Sequence, residues 1–270
     1  MGGGGVRKFA FVLIALVTLT ACGTTVSGRA VPVRSNTVTD LSYLVSSQTA
    51  TKHTVHITYD ASTSIGELTG TGQVEFTSGK VALQMDVTTP DGALGMVLVG
   101  DTLYLRIPGS VAHTGKPWIS VDPNGTDPAS KALAALVSEE QANADPSKTL
   151  AQIQSAGTIT QTSSDQVDGQ PATHYVISVN TAKLMASKAV TPQLRQLVSG
   201  SGVQLPATIG YDVWLNSANL PVRVSFSEQV TVSRTGRTTK FVVNMTYSQW
   251  GAPVSIQAPP ADQVAALPSH

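Results

Sequence analysis

This chain of 270 residues has one cysteine, few charged side chains and few aromatic rings. With Cys22 alone, no disulfide can form within the chain, so the fold does not depend on a disulfide framework. Charged residues make up 13% of the sequence, about half the usual share, and 17 basic side chains are balanced by 17 acidic ones. Nucleic-acid binding needs a basic surface, and disorder needs high net charge with little hydrophobicity. The composition therefore excludes both classes and indicates a globular protein.

The sequence also lacks the residue groupings that are typical of catalytic and metal sites. Its five histidines are scattered, and His53 and His56, at i and i+3 on a strand, point to opposite faces. There is no Gly-x-Ser-x-Gly motif and no glycine-rich phosphate loop after a strand. Gly70 and Gly72 instead indicate a strand irregularity or bulge. We therefore expect no enzymatic activity, no metal and no cofactor.

A hydrophobic run lies near the N-terminus, from Phe9 to Val17, directly after Arg7 and Lys8. A charged start, an apolar run and small residues at a cleavage site are typical of a secretory signal peptide. The run is too short for a permanent membrane span, which needs about 20 apolar residues. The sequence therefore predicts export from the cytoplasm.

One residue beyond this run, Leu19, Thr20, Ala21 and Cys22 resemble the lipobox of bacterial lipoproteins, in which the cysteine thiol receives a diacylglyceryl group before cleavage. We expect residues 1–21 to be a lipoprotein signal peptide, 22–39 a lipidated tether and 40–270 the folded domain. Cys22 would hold the protein to the cell membrane on its extracytoplasmic side. The alternative, a free cysteine after a fortuitous signal, stays open.

Alternation of apolar and polar residues with period two predicts β-strands over much of the remaining chain, for example over Val55–Tyr59, Val81–Val87 and Ile159–Val167. Turn sequences such as Pro90-Asp91-Gly92 and Asp168-Gly169 separate the runs, so consecutive strands should pair as antiparallel hairpins. We expect about ten to eleven strands in one antiparallel sheet, and a sheet this wide has to curl.

Helices are expected at four places: Asp40–Gln48, after Asp127-Pro128, after Asp145-Pro146, and from Thr181 to Ser199 with an interruption at Pro192. Aspartate before proline supplies an N-cap acceptor and then a residue suited to the first helical turn. Gly157 could end the third of these helices in a left-handed conformation. Strands on both sides of a helical insertion indicate one α+β domain, with short helices covering the concave face of the sheet.

Several phrases, in their order along the chain, resemble the LppX/LprA/LprF/LprG lipoproteins of mycolate-bearing actinobacteria. They are the lipobox, Gly100-Asp101-Thr102-Leu103-Tyr104-Leu105 followed by Trp118, Val167-Asp168-Gly169-Gln170, Val213-Trp214-Leu215, and Trp250-Gly251 up to Ala258-Pro259-Pro260. The resemblance implies a LolA-like antiparallel half-barrel that encloses an apolar cavity for acyl chains. It also implies a monomeric lipoprotein that binds acylated lipids or lipoglycans and carries them between inner membrane and outer envelope, with a membrane transporter as a candidate partner.

Two interpretations of the apolar stripes remain open. They could form a filled core, which would leave a structural or partner-binding lipoprotein. They could instead line a cavity, in which each buried CH₂ of an acyl chain contributes about 0.8 kcal/mol. In the second case the candidate lining residues are Leu83, Met85, Val97, Leu103, Leu105, Ala132, Leu133, Leu136, Val137, Leu184 and Val213.

Overall fold

The structure is a computed structural model that describes residues 35–63, 66–77, 80–100, 102–109, 114–121, 146–190, 192, 195–196, 198, 203–232 and 237–266. These residues belong to one compact unit, Pro32–His270. The lipobox and the helix expected after Asp127-Pro128 lie outside the described residues. No helix within the described ranges is long and apolar enough to span a membrane.

Three α-helices and thirteen strands make up the described part of the chain. The helices are α1 Val38–Thr49, α2 Pro146–Ile153 and α3 Thr181–Ala186, and a 3₁₀ turn spans Ala261–Gln263. The strands are β1 Thr54–Thr63, β2 Gly66–Thr77, β3 Lys80–Thr89, β4 Gly92–Val99, β5 Thr102–Arg106, β6 Trp118–Val121, β7 Gly157–Val167, β8 Gln170–Asn180, β9 Val203–Gln204, β10 Thr208–Leu215, β11 Pro221–Val232, β12 Arg237–Ser248 and β13 Val264–Ala266.

All thirteen strands form one open sheet in the order β13-β6-β5-β4-β3-β2-β1-β12-β11-β10-β8-β7, with β9 paired to β11. Every described pairing is antiparallel except that of β13 with β6. The pairing of β12 with β1 joins the two halves of the chain into a single sheet. The expected α+β class, a single curved antiparallel sheet with few short helices, is confirmed, and the two additional strands are the short pieces β9 and β13.

Helix α1 begins at Val38, two residues before the expected start, because Thr37 and not Asp40 is the N-cap. The Thr37 hydroxyl oxygen accepts a hydrogen bond from the Asp40 amide at 3.0 Å, and the hydroxyl donates to the Asp40 carboxylate at 2.7 Å. This reciprocal pair satisfies an amide that the helix itself cannot. Ser35, ahead of the helix, is already buried.

Helix α2 begins at Pro146 as predicted, but Gly157 does not cap it. The helix ends at Ile153 and a turn follows, after which Gly157 opens β7. A Cβ at Gly157 would lie 3.2 Å from the side chain of Val38 and 3.3 Å from that of Ile177. The glycine therefore allows α1 to approach the sheet closely, a packing role that local sequence does not reveal.

Helix α3 covers only the first part of the expected segment, Thr181–Ala186, with the Asn180 side chain accepting from the Lys183 amide at 2.9 Å. Turn residues follow it, and Pro192 lies in a separate helical turn. The predicted hairpin between β7 and β8 is confirmed. Asp168 and Gly169 both have positive φ, 50° and 76°, as the tight two-residue turn requires.

The expectation of a bulge at Gly70 and Gly72 is wrong, because β2 pairs regularly with both neighbours through these residues. A Cβ at Gly70 would meet the carbonyl oxygen of Asp86 at 2.6 Å, and one at Gly72 would meet that of Gln84 at 2.9 Å. Only glycine permits strand β3 to come this close. Glycines placed in this way allow a sheet to bend at their positions.

Candidate functional site

One face of the sheet, which we call the inner face, carries apolar side chains from edge to edge. Pairing registers align them in transverse rows. The leucine row consists of Val121, Leu103, Leu98, Leu83, Val74 and Val55; the methionine row of Leu105, Met96, Met85, Gly72, Ile57 and Tyr247; and the valine row of Leu94, Val87, Gly70, Tyr59, Met245, Val224, Val213 and Tyr175. This face is the place where the sequence predicted ligand contact.

Over β7, β8 and β10 the inner face is closed by helices α1 and α2. Val38, Leu41 and Val45 of α1, and Leu150 and Ile153 of α2, are buried at helical spacing. They form one cluster with Ala156 and with the sheet residues Tyr175, Ile177, Val179, Val213 and Leu215. Tyr175 is fully buried, and its hydroxyl oxygen accepts a hydrogen bond from the Ser35 amide at 3.3 Å. This end of the face, which we call the closed end, is a filled core.

The leucine row is more deeply buried than the valine row from β1 to β4. The methionine row is buried at Ile57 on β1 and Tyr247 on β12, but not on β3 to β5. Every member of the leucine row is buried, whereas Met85, Met96 and Leu105 of the methionine row are half-buried. In the valine row Leu94, Val87, Tyr59 and Met245 are half-buried as well. Gly72 and Gly70 place no side chain at the centre of these two rows. We call this region the open part of the inner face.

Val224 packs against the closed end and also against a second cluster, which contains the buried leucine row with Met85, Met96, Leu105 and Met245 packed on it. It therefore connects the closed end with the open part. Next to it, the rings of Tyr211 and Phe226 lie 5.9 Å apart, centroid to centroid. Burial, with a smaller contribution from the Glu228 carboxylate, raises the pKa of the Tyr211 phenol above its ordinary value. Tyr211 therefore stays uncharged at physiological pH, and the surface there stays apolar.

The described candidate lining residues fall in different places. Val213 belongs to the closed end and Leu184 packs against it, while Leu83 and Leu103 are buried in the leucine row. Met85 and Leu105 lie in the open part. Val97 is buried but lies on the opposite face of β4. The remaining four candidates, Ala132, Leu133, Leu136 and Val137, lie outside the described residues, as do Cys22 and the lipobox.

Met96 and Leu98 occupy the inner face of β4 where sequence reasoning had placed Val97. The strand is apolar on both faces, so its own pattern does not reveal which residues point inward. The turn does reveal which residues point inward. Residues 90 and 91 form the loop, so that Thr89 pairs with Gly92, and this register places Leu98 opposite Leu83. Counting back from the Pro-Asp-Gly turn would have identified both residues.

The outer face carries an assembly around Trp214 whose polar groups are mutually satisfied. The indole stacks on the His174 ring at 4.2 Å, with the Arg223 guanidinium 5.9 Å from its centroid. Its N–H donates to the Asp165 carboxylate at 2.8 Å, and this bond is the main reason that the pKa of Asp165 lies below its ordinary value. His174 in turn is 2.6 Å from Asp212. We assign this assembly a structural role in holding β7, β8, β10 and β11 together.

Comparisons with known proteins give structural neighbours only: no protein family and no curated protein sequence matches this chain. The lipoprotein LppX of Mycobacterium tuberculosis is similar with a TM-score of 0.47 and 13% identity over 82% of this chain and 98% of that one. The MucA/MucB complex of Pseudomonas aeruginosa gives 0.37 and 16% over 84% and 59%. A DUF1329 family protein from Desulfovibrio piger gives 0.32 and 10% over 82% and 96%. A member of the family suggested by the sequence is thus among the structures that this chain resembles.

Proposed function

We propose that this protein is a lipid-anchored lipoprotein of the cell envelope that binds acyl chains on the open part of its inner face. In this role it carries acylated lipids or lipoglycans between the inner membrane and the outer envelope. The observation that carries the proposal is a group of half-buried apolar side chains beside the fully buried leucine row: Met85, Met96 and Leu105 of the methionine row, and Tyr59, Val87, Leu94 and Met245 of the valine row. In a well-packed core, large apolar side chains such as these would be fully buried.

The chemistry of the open part suits flexible hydrocarbon. Met85, Met96 and Met245 have unbranched, polarizable side chains that adapt to irregular apolar ligands.

The competing function is that of a structural or partner-binding lipoprotein with a filled core, and the closed end is the observation that favours it. There, α1 and α2 fill the space above the sheet with their own side chains. The two functions differ in what they require of the open part. Acyl binding requires unfilled space there, whereas a filled core has none.

Titration with a fluorescent fatty acid, followed by its emission, tests the proposal. Leu105→Trp adds an aromatic ring, which covers about 150–250 Å² when buried, on the inner face of β5. We expect this variant to bind the fatty acid at least about tenfold more weakly than wild type, because the ring takes the place of hydrocarbon.

The matched control is Tyr104→Trp, on the adjacent residue of β5, which points to the outer face and is half-buried like Leu105. This variant should bind the fatty acid as wild type does. Chemical denaturation of both variants checks that each remains folded. Absence of saturable binding to wild type, or equal loss in both variants, contradicts acyl binding on the inner face.

A further inference from the structure

The outer face of the sheet has a polar depression of about 360 Å³ across β12, β1, β2 and β3. We call it the outer polar depression and define it by His56, Thr58, Thr71, Gln73, Gln84 and Asp86. Its volume falls at the small end of the range for ligand sites, roughly 300–1,000 Å³. These residues alternate along their strands with members of the leucine, methionine and valine rows, so the depression and the acyl-binding face lie on opposite sides of the sheet.

Strand register arranges the polar side chains of the depression in two parallel rows. In the first, His56 pairs with Gln73, and Gln73 with Gln84. In the second, Thr58 pairs with Thr71, and Thr71 with Asp86. Neighbouring strands are about 4.8 Å apart, so each row presents hydrogen-bonding groups at that interval.

Several of these groups are available to a ligand. Two are already engaged within the chain: the Gln73 side-chain oxygen accepts a hydrogen bond from the Ser255 amide at 3.1 Å, and the Asp86 carboxylate accepts one from Arg106 at 2.7 Å. Within the described ranges, the side chains of His56, Thr58, Thr71 and Gln84 form no hydrogen bond to the rest of the chain. Hydroxyl, amide and imidazole groups together offer both donors and acceptors. A ligand that pairs with these side chains must therefore also have both hydrogen-bond donors and acceptors.

Charge in the depression is balanced, because its one carboxylate, Asp86, is paired with Arg106. No lysine or arginine lines it, so an anionic ligand would find no unpaired cation. An apolar ligand would leave the polar side chains without partners, which costs free energy. Both classes are therefore disfavoured relative to a neutral, hydroxyl-rich ligand.

Aromatic surface continues the same two rows beyond β3. Tyr104 on β5 lies in line with Gln84 on β3, two strands away, with Val97 of β4 between them. In the other row Gly95 lies between Asp86 and Arg106, and a Cβ there would meet the Trp118 ring at 3.0 Å. The indole thus lies over Gly95, with the Arg106 guanidinium 5.1 Å from its centroid.

We propose that the outer polar depression binds an uncharged carbohydrate chain. Sugar hydroxyls hydrogen-bond to His56, Thr58, Thr71 and Gln84, and a further sugar unit lies toward Tyr104 and Trp118. This site is additional to acyl binding and uses the opposite face of the sheet, so either activity can exist without the other.

Calorimetric titration of the full-length protein with unacylated neutral hexasaccharides, maltohexaose and mannohexaose, tests the proposal. The variant is Thr71→Trp, which fills the depression from an exposed position. We expect saturable binding of a neutral hexasaccharide to wild type, weakened at least about tenfold by Thr71→Trp. The control Ser227→Trp, at an exposed outer-face position on β11, should bind as wild type does.

Hexagalacturonate serves as the anionic comparison. No binding of either neutral hexasaccharide at millimolar concentration, undiminished binding to Thr71→Trp, or tighter binding of hexagalacturonate would each overturn the carbohydrate site. Fatty-acid titration of the same proteins separates the two proposals. Thr71→Trp should retain fatty-acid binding, and Leu105→Trp should retain hexasaccharide binding. If only one of the two proposals is wrong, the binding that belongs to the other is still observed.

Discussion

Replacing Cys22 with alanine is expected to move this protein from the membrane fraction to the soluble fraction, or to leave an unprocessed precursor. The reason is that the thiol in Leu19-Thr20-Ala21-Cys22 is the proposed site of diacylglyceryl attachment. Two acyl chains hold a protein stably at a membrane, whereas the tether without them is polar and has no comparable affinity. Cell fractionation and the intact mass of the purified protein measure the outcome.

Thr25→Ala, in the same polar segment but outside the lipobox, is the control and should remain in the membrane fraction with its mass changed only by the substitution. If Cys22→Ala is as firmly bound to membranes as wild type and shows no change in migration, Cys22 is not the lipid-attachment residue.

Tyr175→Ala is expected to destabilise the folded protein by about 3–5 kcal/mol, the range for deletion of a large buried ring. Tyr175 has no exposed surface, lies at the centre of the closed end and holds the Ser35 amide through its hydroxyl oxygen. The change leaves a cavity and an amide without its partner. Equilibrium unfolding in urea gives the difference in free energy.

Tyr43→Ala is the matched control, because Tyr43 on α1 is 78% exposed and its removal should change stability by less than about 0.5 kcal/mol. Met96→Ala, on the open part of the inner face, should cost less than about 2 kcal/mol, below the range for buried methionine. Equal costs for Met96→Ala and Tyr175→Ala would mean that the open part is packed like the closed end.

The hairpins could be predicted from sequence because their information is local. Asp168-Gly169 selects a two-residue turn, and that turn fixes the pairing of β7 with β8. The pairing of β12 with β1 could not be predicted in the same way, since it joins residues far apart in the sequence, such as His56 and Ser248, which are 192 positions apart. No turn specifies that register, and it depends on the burial of both apolar faces at once.

The candidate site could be predicted only in part for a related reason. Alternation shows that Leu83 and Met85 share a face of β3, but it does not show how much of that face the helices cover. Leu83 is buried, while Met85 is half-buried. That difference arises from tertiary packing, which the alternation of one strand does not specify. Gly157 is a second case, because its role depends on Val38, which is distant in sequence.

If the open part of the inner face holds acyl chains in the cell, lipid should co-purify with the protein. Mass spectrometry of an organic extract from the full-length protein, purified without added lipid, measures this. We expect acylated lipid in the extract of wild type and of Tyr104→Trp, and markedly less in that of Leu105→Trp. Wild-type protein whose extract contains no lipid would show that the open part carries no acyl chains, and would leave the filled-core alternative.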